Sequence, residues 1–149
     1  MHRVNKFLSV NIEAWIYGTI GKVEEEGIDW NTAWKSTYRE LGGKSKNSGK
    51  KGCPMIGAQT LYRLGRIKGS RMPYKNLPIR DIFNKYSKNG VYSILTIEYL
   101  VHDSSIAMKD LWPRIQQRFQ EELDQEPAQS NQGGPTVAFK LWHLNLIID

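Results

Sequence analysis

One cysteine, Cys53, and three histidines, His2, His102 and His143, are all the thiol and imidazole in this 149-residue chain. A lone thiol excludes an intramolecular disulfide and a multi-cysteine zinc site, and it suits a reducing compartment. The histidines have no metal-ligand spacing, so neither metal nor other cofactor is expected. No window approaches about 18 apolar residues, which excludes a membrane-spanning helix. Residues 1–13 lack the apolar core of a signal peptide. These absences give a cytoplasmic expectation. Acids are also scarce mid-chain. From Lys35 to Lys88 only Glu40 and Asp81 oppose fourteen Lys and Arg. That segment carries +12, and because the whole chain is +6 the remainder carries −6. Such asymmetry points to an anionic partner for the middle of the chain, with a solvated lysine surface as the plain alternative.

The length suits one domain over 1–149 that can bury about two thirds of its unfolded surface. Apolar residues from Val4 through Phe7, Leu8, Ile12, Trp15, Ile16 and Ile20 to Val23 recur at three- and four-residue steps, predicting one helix over 3–26. Gly27 stops it and Asp29 caps the next. Trp30, Ala33, Trp34, Thr37, Tyr38 and Leu41 form the stripe of that second helix, ended by Gly42-Gly43. Residues 44–52 hold no apolar side chain and read as a Lys-rich loop. Pro54 suits a first helical position with Cys53 at the N-cap or adjacent to it, and Gly65 closes that helix. Residues 78–88 read as a short helix broken by Asn89-Gly90. The apolar run 91–101 reads as a helix, with a strand as its alternative. Leu111 to Leu123 gives another helix with Pro113 in its first turn. Residues 124–134 read as a flexible surface loop, and Pro135 opens a last helix whose Trp142 and Ile148 dock on the core. The fold class is all-α, a compact domain of six or seven helices.

Gly52-Cys53-Pro54, then Leu61, then Gly65-Arg66-Ile67-Lys68-Gly69 resembles the signature of a small family of bacterial domains of unknown function, K-G-C-P followed by G-x-[IV]-K-G. Trp30 with Ala33-Trp34, Ser87-Lys88-Asn89 with Tyr92, Leu111-Trp112, and Lys140-Leu141-Trp142 with Leu146-Ile147 resemble later pieces in order. Gly57 and Gln59 depart from that pattern, which has Ala and an apolar residue there. The resemblance implies a compact helical domain of bacterial or phage type and carries no activity.

A polyanion site is the leading expectation. Lys44, Lys46, Lys50 and Lys51 precede a helix N-terminus, and Arg63, Arg66, Lys68, Arg71 and Lys75 follow that helix. Lysines neutralise phosphate, arginines bind it bidentately, and the interleaved Tyr62 and Tyr74 suit stacking on unpaired bases. Nucleic acid is therefore the expected partner, or another polyphosphate. A second reading is a regulatory factor, of defence or counter-defence, docking an acidic protein. A third is a thiol enzyme in which helix placement activates Cys53 with His2, His102 or His143 as base, against the blander reading of a buried capping cysteine. The balance leans away from an enzyme, and no catalytic residue is assigned. Gly43 to Lys51 fails as a P-loop, because the glycine spacing is too long, Lys51 replaces the hydroxyl that holds Mg²⁺, and a helix precedes it. The roughly ten-residue loop is too long for a helix-turn-helix. Glu24, Glu25 and Glu26 read as a solvated charge run, and Glu98 as a partly exposed acid.

Overall fold

The structure is a computed structural model and describes residues 6–44, 52–131 and 133–149. Its order is β1 (Lys6–Phe7), β2 (Val10–Asn11), α1 (Ile12–Glu26), α2 (Trp30–Glu40), α3 (Gly52–Arg63), α4 (Ile79–His102), α5 (Met108–Leu123) and α6 (Gly134–His143). The all-α class stands, with six helices among the described residues. None of them is long and apolar enough to cross a membrane.

The first helix is shorter than its periodicity predicts. A two-stranded antiparallel hairpin precedes it, pairing Lys6 with Asn11 and Phe7 with Val10. Leu8 and Ser9 turn the hairpin at φ +51° and +74°. Asn11 then caps α1, its Oδ1 accepting from Ala14 N at 2.9 Å. At the other end Gly27, at φ +69°, donates back to Lys22 O as a left-handed C-cap. Asp29 caps α2 as expected, accepting from Thr32 N.

Helices α1 and α2 are joined by stacked indoles. Trp15 lies 4.1 Å from Trp34, and Trp15 Nε1 donates to Trp34 O. Trp30 stacks on Tyr62 of α3 at 5.1 Å, and its Nε1 donates to Met55 O. Each fully buried large side chain of this kind stabilises the fold by about 1.5–3 kcal/mol in area terms. Leu41, at the end of the α2 stripe, lies exposed instead.

The second half of α4 is the central rod. Val91 to Ile97 are all buried, and the stretch is helical throughout, which removes the strand alternative. The expected break at Asn89-Gly90 lies instead at Ser87, at φ 63° and ψ −173°. Gly90 is packed, not turned. A Cβ there would stand 2.5 Å from Tyr86 Cβ and 2.6 Å from Thr60 Oγ1. Gly57 serves the crossing of α3 with α6 in the same way, where a Cβ would come 3.1 Å from Gly134 Cα.

Three further boundaries move. Pro54 lies within the first turn of α3, which opens at Gly52, so Cys53 is inside the helix. Pro113 lies inside α5, beyond its first turn, because that helix begins at Met108. Ile147 is the buried residue near the C-terminal end, and Ile148 is exposed. In the segment after α5, Ala128 N donates to Tyr92 Oη at 2.7 Å, and Trp112 Nε1 and Gln116 Nε2 donate to the carbonyls of Gln129 and Ala128.

Candidate nucleic-acid interface

The segment after α3 is shaped by Gly65. Its φ of +69° lets α3 end in a left-handed cap, with Arg66 N donating to Leu61 O. The backbone of Pro73 and Tyr74 comes back directly over Gly65, where any Cβ would collide with it. Lys75 N donates to Leu64 O and fixes that return. On the far side Ile67 forms an antiparallel bridge with Ile147, flanked by Lys68 N to Leu146 O and Ile148 N to Arg66 O. Residues 64–75 are thus held on both flanks.

The described residues among the expected anion-binding set differ in exposure and pairing. Lys46, Lys50 and Lys51 lie outside the described residues, while Lys44 is exposed. Arg71 is exposed but neutralised. Its Nη2 pairs with Glu25 at 2.7 Å, its Nε approaches Glu24 at 3.8 Å, and its backbone N–H donates to Glu24 Oε2. Glu24 and Glu25 are therefore structural partners, and the side chain of Glu24 is largely covered. Tyr62 belongs to the same corner. It is 3 % exposed and its hydroxyl donates to Glu24 Oε2 at 3.0 Å. Burial, then the Glu24 carboxylate, pushes that hydroxyl above its usual pKa. Tyr62 cannot stack on a base, contrary to the expectation from its spacing. Arg63 sits half-buried with its guanidinium 5.6 Å from the Tyr62 ring.

Arg66 and Tyr74 behave differently. Arg66 is only 5 % exposed, yet it makes no ion pair or side-chain hydrogen bond with any described residue, and its Nε is buried without a partner. Its guanidinium lies 4.5 Å from the centre of the Tyr74 ring, a cation–π contact. Tyr74 is 48 % exposed and is anchored by its hydroxyl to Asp149 O at 3.1 Å. Lys68 and Lys75 are exposed on the same segment, and Lys68 Nζ donates to Asn145 Oδ1 at 3.1 Å. A cleft of about 370 Å³ opens beside Arg66 and Tyr74.

The remaining candidates lie elsewhere. Cys53, half-buried in α3, neighbours Tyr92, whose hydroxyl is pushed up by burial first and by Cys53 in addition. His102 lines the Arg66 cleft, His143 packs on Phe139 at 4.5 Å, and His2 is outside the described residues. Glu98 pairs with Arg118 at 3.3 Å. Among the described residues no three His, Cys, Asp or Glu side chains cluster as a metal site. Sequence reasoning missed Glu98, His102 and Asp149 as neighbours of Arg66, because the closing contact joins parts of the chain 75 residues apart. Comparison of the chain with protein-family models, with curated proteins and with solved structures finds no match.

Proposed function

We propose that this protein is a nucleic-acid-binding module that meets single strands through residues 64–75, acting in the cytoplasm. The observation that carries this reading is the Arg66–Tyr74 pair, a buried arginine without a carboxylate partner among the described residues, packed on a half-exposed aromatic ring. An exposed ring offers a face to an unpaired base, and flanking Lys68 and Lys75 supply charge for its phosphates. Lys44, Lys46, Lys50 and Lys51 add further positive charge to the sequence just before α3.

The test is a salt titration of binding to labelled single- and double-stranded oligonucleotides. Single strands bind more tightly than duplex, and log affinity falls against log salt with a slope of about −0.7 for each phosphate neutralised. Lys68→Ala with Lys75→Ala flattens that slope by roughly one to two such increments. Binding that ignores salt, or no binding to any oligonucleotide, overturns the reading.

A further inference from the structure

We infer that the cleft beside Arg66 is a pocket for one unpaired guanine base. This deepens the nucleic-acid reading above and rests on it for the source of the base.

Arg66 carries a charge that no acid among the described residues pairs. Removing a guanidinium from water costs several kcal/mol unless acceptors replace the lost water. Arg66 Nε has no such acceptor among the described residues, and the residue lines an open cleft to which the rest of the guanidinium can turn. The cleft is not built for a simple anion, because the acidic residues Glu98 and Asp149 also line it. Glu98 is partly neutralised by Arg118, while Asp149 engages Tyr74 only through its backbone carbonyl. A simple cation is equally unsuited, since Arg66 faces it. The matching ligand carries acceptors on one edge and donors on another. Tyr74 makes a planar ligand the best fit, and Ile97 and Val101 supply an apolar wall.

Guanine has that pattern. O6 and N7 are paired acceptors that suit an arginine fork, and N1–H and the N2 amino group are donors that suit a carboxylate. Adenine puts an amino donor beside N7 and would meet the guanidinium donor to donor. The cleft volume of about 370 Å³ admits one base and leaves the sugar-phosphate outside.

The experiment uses the whole chain and a short oligothymidylate carrying one central guanine, hypoxanthine or adenine, together with free GMP read by chemical-shift changes at Tyr74 and His102. Guanine binds about tenfold more tightly than adenine, as one bidentate contact allows. Hypoxanthine, lacking the amino group, falls between them. Asp149→Ala, at an exposed residue, and Arg66→Lys, checked for an unchanged melting temperature, erase the preference and leave the salt slope intact. Equal affinity for every base with a normal salt slope overturns the guanine pocket while the nucleic-acid reading survives. GMP binding at the cleft with no oligonucleotide binding supports the pocket and sinks the nucleic-acid reading. Alanine competing as well as GMP overturns the base assignment, because its carboxylate and ammonium meet the same charges without a ring.

Discussion

Tyr62 and Tyr74 bracket one basic segment, and each meets an arginine in the opposite way. At the Tyr62 corner the ring is buried on Trp30, the hydroxyl is bound to Glu24, and Arg71 is exposed but paired with Glu24 and Glu25. At the Tyr74 corner the ring is half-exposed, and Arg66 is buried without a carboxylate partner among the described residues. One corner has spent its polar capacity inside the protein, and the other has kept it. Exposure of a positive side chain is thus a poor guide to its availability. An exposed ion pair is worth little to stability, and it also leaves little charge for a ligand.

The sharpest way to break the contrast is at the indole stack. Trp34→Ala removes a ring packed on Trp15 and is expected to cost about 3–5 kcal/mol in urea unfolding, through the Tyr62 side of the molecule. An equal loss from Tyr74→Ala would erase the distinction between a structural corner and an available one. Gly65→Ala comes next. It places a side chain at positive φ against the returning Pro73 backbone and is expected to cost about 2 kcal/mol or more. It also displaces Tyr74 from Arg66, so single-strand binding falls further than stability does. Gly21→Ala is the control, since nothing lies near a Cβ there, and it stabilises by about 0.5–1 kcal/mol.

The two tyrosines then separate by readout. Tyr74→Ala lowers single-strand affinity by about 1–3 kcal/mol with little change in unfolding. Tyr62→Phe leaves affinity alone and weakens the fold modestly, through the lost bond to Glu24. Its smallest signature is in pH. The folded Tyr62 hydroxyl is held above the ordinary value of 10.0 by burial and by Glu24. Its contribution is therefore complete below pH 10 and is lost as pH rises through the folded value. The stability gap between wild type and Tyr62→Phe should be flat at neutral pH and narrow on the alkaline side. A constant gap across that range would mean that Glu24 does not govern the hydroxyl.

Much of the helical frame was legible because it follows local rules. Asp29 with the Trp30 and Trp34 stripe, Gly27, Gly65 and Pro135 each act on their neighbours in the chain. The failures have a common physical cause. Phe7 and Leu8 fall at helical spacing, and two-residue strands leave no alternating pattern to compete with it. Gly90 looked like a breaker, but its lack of a side chain answers to Thr60, across a helix crossing. The glutamates at 24 and 25 looked solvated because Arg71, their partner, arrives from 46 or 47 residues away. At the candidate site the basic residues were readable, but which of them remained unpaired depended on contacts with distant parts of the chain, Glu24 and Glu25 before it and Asn145 after it.

The bridge between Ile67 and Ile147 also sets an order of assembly. The indole stack of α1 and α2 needs only the first quarter of the chain, so it can condense while the remainder is still being synthesised. The Arg66 corner has to wait for Ile147 and Asp149, and closing so long a loop is slow. Hydrogen exchange at Lys68 and Ile148 should therefore report an opening of lower free energy than exchange at Trp34, and with it a corner of the molecule that can come apart while the fold endures.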